Sequence, residues 1–249
     1  MLKGRVAVVT GATRGIGFAA AKELAVRGAT VIVCSRDLAS AQKAAGRIGK
    51  NAHGAGLDVA NAKSVSGFVK EVVERRGRID ILVNNAGYPF DPKIWYKKIH
   101  KVGDDELDAV LSVDLKGTFR LTKAVLPVMA RQKRGVVVSI SSTPAIAGYD
   151  QGAPYSLAKA GIVAMTKHVA LEYGRDNVRA YALALGNIAT DATFNSMSAK
   201  AQKAAAQESA MKRWGRPEEV ARVIAALAGD DFSFATGNTI VVDGGTVFL

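Results

Sequence analysis

Short apolar runs alternate with amphipathic stretches along the whole chain. Val6-Ala7-Val8-Val9, Thr30-Val31-Ile32-Val33, Ile79-Asp80-Ile81-Leu82-Val83, Val136-Val137-Val138 and Thr239-Ile240-Val241-Val242 predict strands, with weaker candidates at His53 to Leu57 and Val178 to Leu183. The first two are continuously apolar and rich in β-branched residues, the pattern of strands covered on both faces. Helices are expected over Gly15–Arg27, Asp37–Gly49, Asn61–Arg76, Asp104–Gln132, Ala153–Gly174 and Pro217–Ala228. In the first, Ile16, Ala20 and Leu24 step along one face. The last opens with Pro217, Glu218 and Glu219, a proline at the first helical position and acids at the positive end of the dipole. Strands alternating with helices in this way predict an α/β fold, a doubly wound, seven-stranded parallel sheet with right-handed crossovers and helices on both faces. With no repeat, linker or break of composition, residues 1–249 are expected to form a single domain.

Composition narrows the class. The 249 residues are 49% hydrophobic and 22% charged, as in globular chains and unlike disordered ones. The single cysteine, Cys34, excludes an intrachain disulfide framework and fits a reducing compartment. No apolar run approaches the roughly 18–20 residues that span a bilayer. Strand-like sequence begins by Arg5, so no signal peptide is expected, and the protein is expected to be cytoplasmic. The net charge of +12 is the oddity. It suits nucleic acid, an anionic surface or a phosphate-bearing ligand. Residues 1–50 hold nine basic and two acidic residues, a local +7, while elsewhere the charges are mixed. No run of five like charges occurs and few aromatics lie among the basic residues, so no nucleic-acid partner is expected. No histidines pair at metal-ligand spacing, so no metal is expected either.

The first strand runs into Thr10-Gly11-Ala12-Thr13-Arg14-Gly15-Ile16-Gly17 and then a helix. Gly11 permits a tight turn, Gly15 lets the backbone approach a pyrophosphate, and Gly17 allows close helix–strand contact. The helix N-terminus then faces the anion, as in dinucleotide-binding folds. After the second strand, an acidic residue would take a ribose 2′-hydroxyl and arginine a 2′-phosphate. Here Cys34-Ser35-Arg36 occupies that place, and Asp37, one position later, is expected to start the next helix. With Arg14 in the glycine loop, a 2′-phosphate would meet two guanidinium groups, which favours NADP(H) over NAD(H).

Taken with motifs further along, these residues resemble the tyrosine-dependent short-chain dehydrogenase/reductase family, essentially end to end. Thr10 to Gly17 matches its glycine motif, Asp58-Val59 its adenine-contacting pair and Asn84-Asn85-Ala86-Gly87 its strand-four motif. Tyr155-Ser156-Leu157-Ala158-Lys159 matches its active-site motif, with Ser142, thirteen residues before the tyrosine, where the family keeps its catalytic serine. Arg216-Pro217-Glu218-Glu219-Val220 and Val242-Asp243-Gly244-Gly245 are similar to family segments too. The resemblance implies a Rossmann-type fold and an NADP(H)-dependent oxidoreductase interconverting a ketone and a secondary alcohol. Within the family the chain looks most like 3-oxoacyl-acyl-carrier-protein reductases, which makes a 3-oxoacyl thioester the expected substrate. A sugar or polyol dehydrogenase and a catalytically silent NADP(H)-binding protein are the alternatives. A homo-oligomer, tetramer or dimer, is implied as well.

The chemistry follows from the residues. Tyr155 and Lys159 lie one helical turn apart on one face. A tyrosine hydroxyl ordinarily ionises near pH 10, and a nearby ammonium or an oxidised nicotinamide stabilises the phenolate. Tyr155 would then act as acid in reduction and base in oxidation, with Ser142 holding the substrate oxygen and Lys159 also meeting the nicotinamide ribose. By resemblance, the backbones of Asn85, Ala86 and Gly87 contact the adenosine ribose, and Thr13 and Ile16 sit where the glycine loop meets the phosphates. Ile188 and Thr190 of Gly186-Asn187-Ile188-Ala189-Thr190 fall where the family binds the carboxamide and phosphates.

Three departures stand out. Asp114 replaces the family's usual asparagine, keeping an acceptor, losing the amide donor and, if ionised near Lys159, weakening that lysine's pull on Tyr155. Leu185-Gly186 replaces Pro-Gly and Tyr181 an asparagine, which is expected to loosen the turn before Ile188. Tyr88 to Gly103, carrying Trp95, Tyr96, Lys97, Lys98 and His100, is longer than usual and is expected to line the substrate cleft, pack at a subunit contact or form a surface flap. Lys133, Arg134 and Arg175 offer a basic patch for an acidic carrier protein, or are ordinary solvated residues. Residues 191–213 are expected to form the substrate loop, with apolar surface from Met197 and Met211 and, just beyond them, Trp214.

Overall fold

Every residue of β1 (Val6–Thr10) is buried, and its two faces serve two cores. Ala7 and Val9 belong with Ala20, Leu24, Ile224 and Leu227. Val6 and Val8 belong with Phe68, Leu121, Val125 and Met129. A strand apolar on both sides needs helices above and below it, and both layers are present. The structure, a computed structural model, describes residues 1–191, 193–195 and 197–248.

From β1 the chain continues through α1 (Gly15–Val26), β2 (Thr30–Ser35), α2 (Leu38–Ile48), β3 (Ala52–Gly56), α3 (Ala62–Arg76), β4 (Ile81–Asn84), α4 (Pro92–Trp95), α5 (Asp104–Asp114) and α6 (Lys116–Gln132). The second half holds β5 (Gly135–Ser142), α7 (Pro144–Ala147), α8 (Ala153–Tyr173), β6 (Val178–Leu185), α9 (Ala199–Glu208), α10 (Pro217–Ala228) and β7 (Asn238–Val242). All the strands pair in parallel, in the order β3-β2-β1-β4-β5-β6-β7. This is the doubly wound, seven-stranded sheet that the apolar runs predict. Strand order reverses between β1 and β4, the switch point where such sheets open a ligand crevice at their C-terminal ends.

Two buried arginines fix the end of α10. Arg179 donates to the carbonyls of Gly229 at 2.7 Å, Phe232 at 2.9 Å and Leu227 at 3.3 Å. Arg5 donates to Ala228 and pairs with Asp230 at 2.6 Å. Both satisfy carbonyls that a helix end leaves without partners. Tyr181 joins this junction. Fully buried, its hydroxyl donates to the Ala235 carbonyl and accepts from Arg179 at 3.2 Å.

The helix expected over Asp104–Gln132 is broken at Leu115 (φ −99°, ψ −60°). The Thr118 hydroxyl donates to the Asp114 carbonyl at 2.7 Å, a bond back along the helix that favours bending. Gly117 lies so close to Val59 that a Cβ would stand 2.8 Å from its methyl group. The bend leaves Asp114 aimed at α8. Among the described residues no helix is long and apolar enough to cross a membrane.

Candidate active site

Beyond Thr10 the chain turns through Gly11 (φ +60°) and Gly15 (φ +55°), both in the left-handed region that suits glycine. Gly17 is fixed by contact, since a Cβ there would lie 2.4 Å from both the Gly11 carbonyl and the Asn85 amide nitrogen. That amide holds the loop. It donates to the carbonyls of Thr10 at 2.9 Å and Gly11 at 3.0 Å, while the Thr10 hydroxyl accepts from the N–H groups of Asn85 and Ala86, each at 2.9 Å. The end of β4 and the glycine loop thus form one unit at the switch point. Thr190 brings the loop after β6 against it, 3.4 Å from where a Gly15 Cβ would be. Thr13 and Ile16 are half-buried in the same turn. No acidic residue stands in the first turn of α1, whose free N–H groups suit a phosphate. The cradle fits a pyrophosphate-bearing dinucleotide.

Ser35 and Arg36 follow β2. Arg14 and Arg36 are exposed, and among the described residues neither has an acidic partner. Asp37 caps α2 as its position predicts, accepting from Ala39 at 3.2 Å and Ser40 at 3.1 Å. The Ser40 hydroxyl and these backbone bonds hold its carboxyl below the usual range. Asp58 follows β3 and accepts from the Ala60 N–H at 3.0 Å, and Val59 is buried against Gly117.

Lys159 of α8 is 5% exposed. Its ammonium lies 3.2 Å from Asp114 Oδ2, donates to the Ile140 carbonyl at 3.3 Å and stands 5.3 Å from the centre of the Tyr155 ring. Asp114 is 1% exposed, and its other oxygen accepts from the Tyr88 N–H. Gly87 makes room for it, a Cβ there lying 3.3 Å from Asp114 Oδ1. Burial alone would push the lysine down. The Asp114 carboxylate and Tyr155 outweigh that, so Lys159 ionises above its ordinary value. Ser141 fixes α8 to β5 by donating to the Lys159 carbonyl at 2.9 Å.

Ser142 closes β5 and donates to the Leu185 carbonyl at 3.3 Å, where the Thr143 N–H also donates at 3.0 Å. Two hydrogen bonds to the Leu185 carbonyl thus hold the turn that lacks proline. Gly186 is needed for close approach, because a Cβ would meet that of Asp243 at 2.6 Å. Ile188 is buried, and its neighbours hold Gly215 through Ala189 N–H to Gly215 carbonyl at 2.8 Å and Gly215 N–H to Asn187 carbonyl at 2.9 Å.

A family model described as enoyl-(acyl carrier protein) reductase matches residues 11–247. A 3-oxoacyl-acyl-carrier-protein reductase FabG of Thermotoga maritima is 39% identical over 99% of each chain. The dehydrogenase/reductase SDR family member 4 of Bos taurus is 35% identical over 99% of this chain and 88% of its own. The chain belongs to the short-chain dehydrogenase/reductase family. It is an oxidoreductase of the kind that acts on CH–OH groups. A (2S)-((R)-hydroxy(phenyl)methyl)succinyl-CoA dehydrogenase subunit BbsD of Thauera aromatica is a further relative, 34% identical over 98% of this chain and 97% of its own.

Against the pattern of the short-chain dehydrogenases, Thr122 and Ser139 are positioning residues that no motif marks. The buried Asn84 amide donates to Thr122 at 3.0 Å and Ser139 at 3.1 Å, tying β4 to α6 and β5. The long segment after β4 sets Trp95 against Tyr155, and only its extra length marked it in the sequence. In the basic patch Lys133 pairs with Asp176 at 2.6 Å and Arg134 with Asp230 at 3.4 Å, both cations remaining exposed. In the substrate loop Phe194 packs edge-on to Trp214 at 5.2 Å, while positions 192 and 196 lie outside the described residues.

Proposed function

We propose that this short-chain dehydrogenase is an NADPH-dependent reductase of 3-oxoacyl thioesters. The observation that carries the reading is the buried Lys159 ammonium held against Tyr155, at the same sheet edge as the glycine cradle. Both lie toward the C-terminal ends of the strands, the edge where such sheets take their ligands, which supports one ligand serving both. Gly11, Thr13, Gly15, Ile16 and Gly17 would receive the pyrophosphate. Arg14, Ser35 and Arg36 would receive the adenosine phosphate, Asp58, Val59, Asn85, Ala86 and Gly87 the adenosine, and Lys159, Gly186, Ile188 and Thr190 the nicotinamide end. When bound, the reduced nicotinamide supplies the hydride. Tyr155 gives its hydroxyl proton to the ketone oxygen as the C=O becomes C–OH, and takes one back in the reverse direction. Ser142 turns its hydroxyl from Leu185 to that oxygen, where negative charge develops. Lys159 keeps a positive charge beside the tyrosine, and Asp114 holds the lysine.

The substrate class is supported by relatives named for acyl thioesters on a carrier protein and on coenzyme A. The same reading carries a dimer or tetramer. Native mass spectrometry is expected to show two or four chains. The test of function is loss of NADPH absorbance with acetoacetyl-CoA, gluconolactone and simple ketones. The thioester is expected to have the highest kcat/KM. A higher value for the lactone would favour a sugar dehydrogenase, and cofactor binding with no turnover would favour a silent NADP(H)-binding protein.

A further inference from the structure

Trp95 lies against Tyr155 with ring centres 5.4 Å apart and planes tilted by 57°. Three contacts seat it there. Its indole N–H donates to Gln151 Oε1 at 3.0 Å. Its carbonyl accepts from the Gly152 N–H at 2.8 Å. Gly152 itself, at φ +65°, leaves the room the indole fills, since a Cβ would stand 2.8 Å from two of the ring carbons. Gly152 immediately precedes α8, so the indole is built onto the end of the helix that bears Tyr155.

Outward from Trp95 the surface stays aromatic. Phe90 is 5.6 Å and Tyr149 6.2 Å from the indole, and Tyr96 meets Phe90 edge-on at 6.5 Å. Phe90, Tyr96 and Tyr149 are each more than half exposed, at 51%, 64% and 56%. The inward side is already filled by Lys159, Asp114 and the Ile140 carbonyl. A substrate whose oxygen meets Tyr155 and Ser142 can therefore lay its outer part against Trp95.

We propose that Trp95 is a specificity-determining residue that selects 3-oxoacyl thioesters carrying an aromatic ring on the reacting carbonyl over those carrying a short alkyl group. The inference rests on the reductase reading above. A ring beside Trp95 gains offset or edge-to-face contact beyond its apolar area, whereas a methyl group has too little surface to do so. Such contact is made in the bound ground state as well as in the transition state, so its loss appears mainly in KM.

The experiment compares benzoylacetyl-CoA with acetoacetyl-CoA, with NADPH, for the wild type, Trp95→Ala, Trp95→Phe and Gly152→Ala. The wild type is expected to prefer the aryl substrate. Trp95→Ala should lower the aryl-to-alkyl ratio of kcat/KM by about 2- to 10-fold, the range of an aromatic pair, mostly through KM. Trp95→Phe should restore part of the ratio. Gly152→Ala, whose methyl group displaces the indole, should follow Trp95→Ala. Turnover of both thioesters with a ratio indifferent to Trp95 overturns this inference alone. An equal loss on both substrates with a changed native mass also overturns it, and makes Trp95 a subunit contact. Turnover of neither thioester by the wild type overturns the reductase reading and this inference together.

Discussion

Asp114 and Lys159 form an ion pair at 3.2 Å with both side chains almost fully buried. Removing one partner of such a pair leaves the other uncompensated in a medium that penalises charge. Because Lys159 ionises above its ordinary value in the folded chain, its charge stabilises the fold everywhere below the usual lysine value of about 10.4. That contribution is lost only as pH rises through the raised value. Asp114→Asn keeps an acceptor for the Tyr88 N–H but removes the larger of the influences that raise the lysine, and burial, which lowers it, remains. The variant is expected to lose about 1–3 kcal/mol at pH 7, and its alkaline fall in Tm should begin at lower pH. Parallel Tm curves for the two proteins between pH 7 and 11 would contradict this. The pairing was foreseeable, because the family pattern puts position 114 near the lysine. Trp95 was not. Its contact with Tyr155 spans sixty residues and depends on the missing Cβ of Gly152, which no local pattern reports.

The start of α10 shows what an element needs at its ends. Glu219 accepts from the Arg216 N–H at 2.8 Å and from both terminal nitrogens of Arg213 at 2.8 Å. The Arg213 side chain first, then the Arg216 backbone bond, lower its carboxyl to about 2. A depressed value means that the bonded carboxylate stabilises the fold above the usual glutamate value of about 4.3, and that this is lost as pH falls toward the folded value. Solvent screens the exposed pair, so Glu219→Gln should cost about 1 kcal/mol at pH 7 in urea unfolding. The difference should shrink by pH 3, and a constant difference would sink the argument. This helix start was readable from Pro217, Glu218 and Glu219, just as β1 and β2 were readable from their unbroken β-branched runs. The break at Leu115 was not, because apolar periodicity continues through it. What bends the chain there is the Thr118 hydroxyl on the Asp114 carbonyl. The short α4, α7 and α9 escaped for a related reason, two having only four residues and α9 burying none.

Across the whole molecule, the net charge of +12 divides into cations with structural work and cations without it. Arg5 and Arg179 secure α10 from inside, Arg27 pairs with Glu23 at 2.8 Å, and Arg47 lies over the Phe18 ring at 4.5 Å. Arg14 and Arg36 are exposed beside the glycine cradle. Replacing both with alanine is expected to weaken NADPH about 10- to 100-fold while changing NADH little, since the lost bonds are charge-assisted contacts to the extra phosphate. Equal losses for both cofactors in fluorescence titration would show that the arginines serve the loop rather than the phosphate. Reduction by this chain turns on Tyr155 as the acid, held by α8 beside a charged lysine. Its most direct test is Tyr155→Phe, with kcat for acetoacetyl-CoA and the NADPH Kd measured side by side. The predicted result is a fall in kcat of about 100- to 10,000-fold with Kd changed less than about threefold. Turnover that survives within a few-fold of the wild type would contradict it.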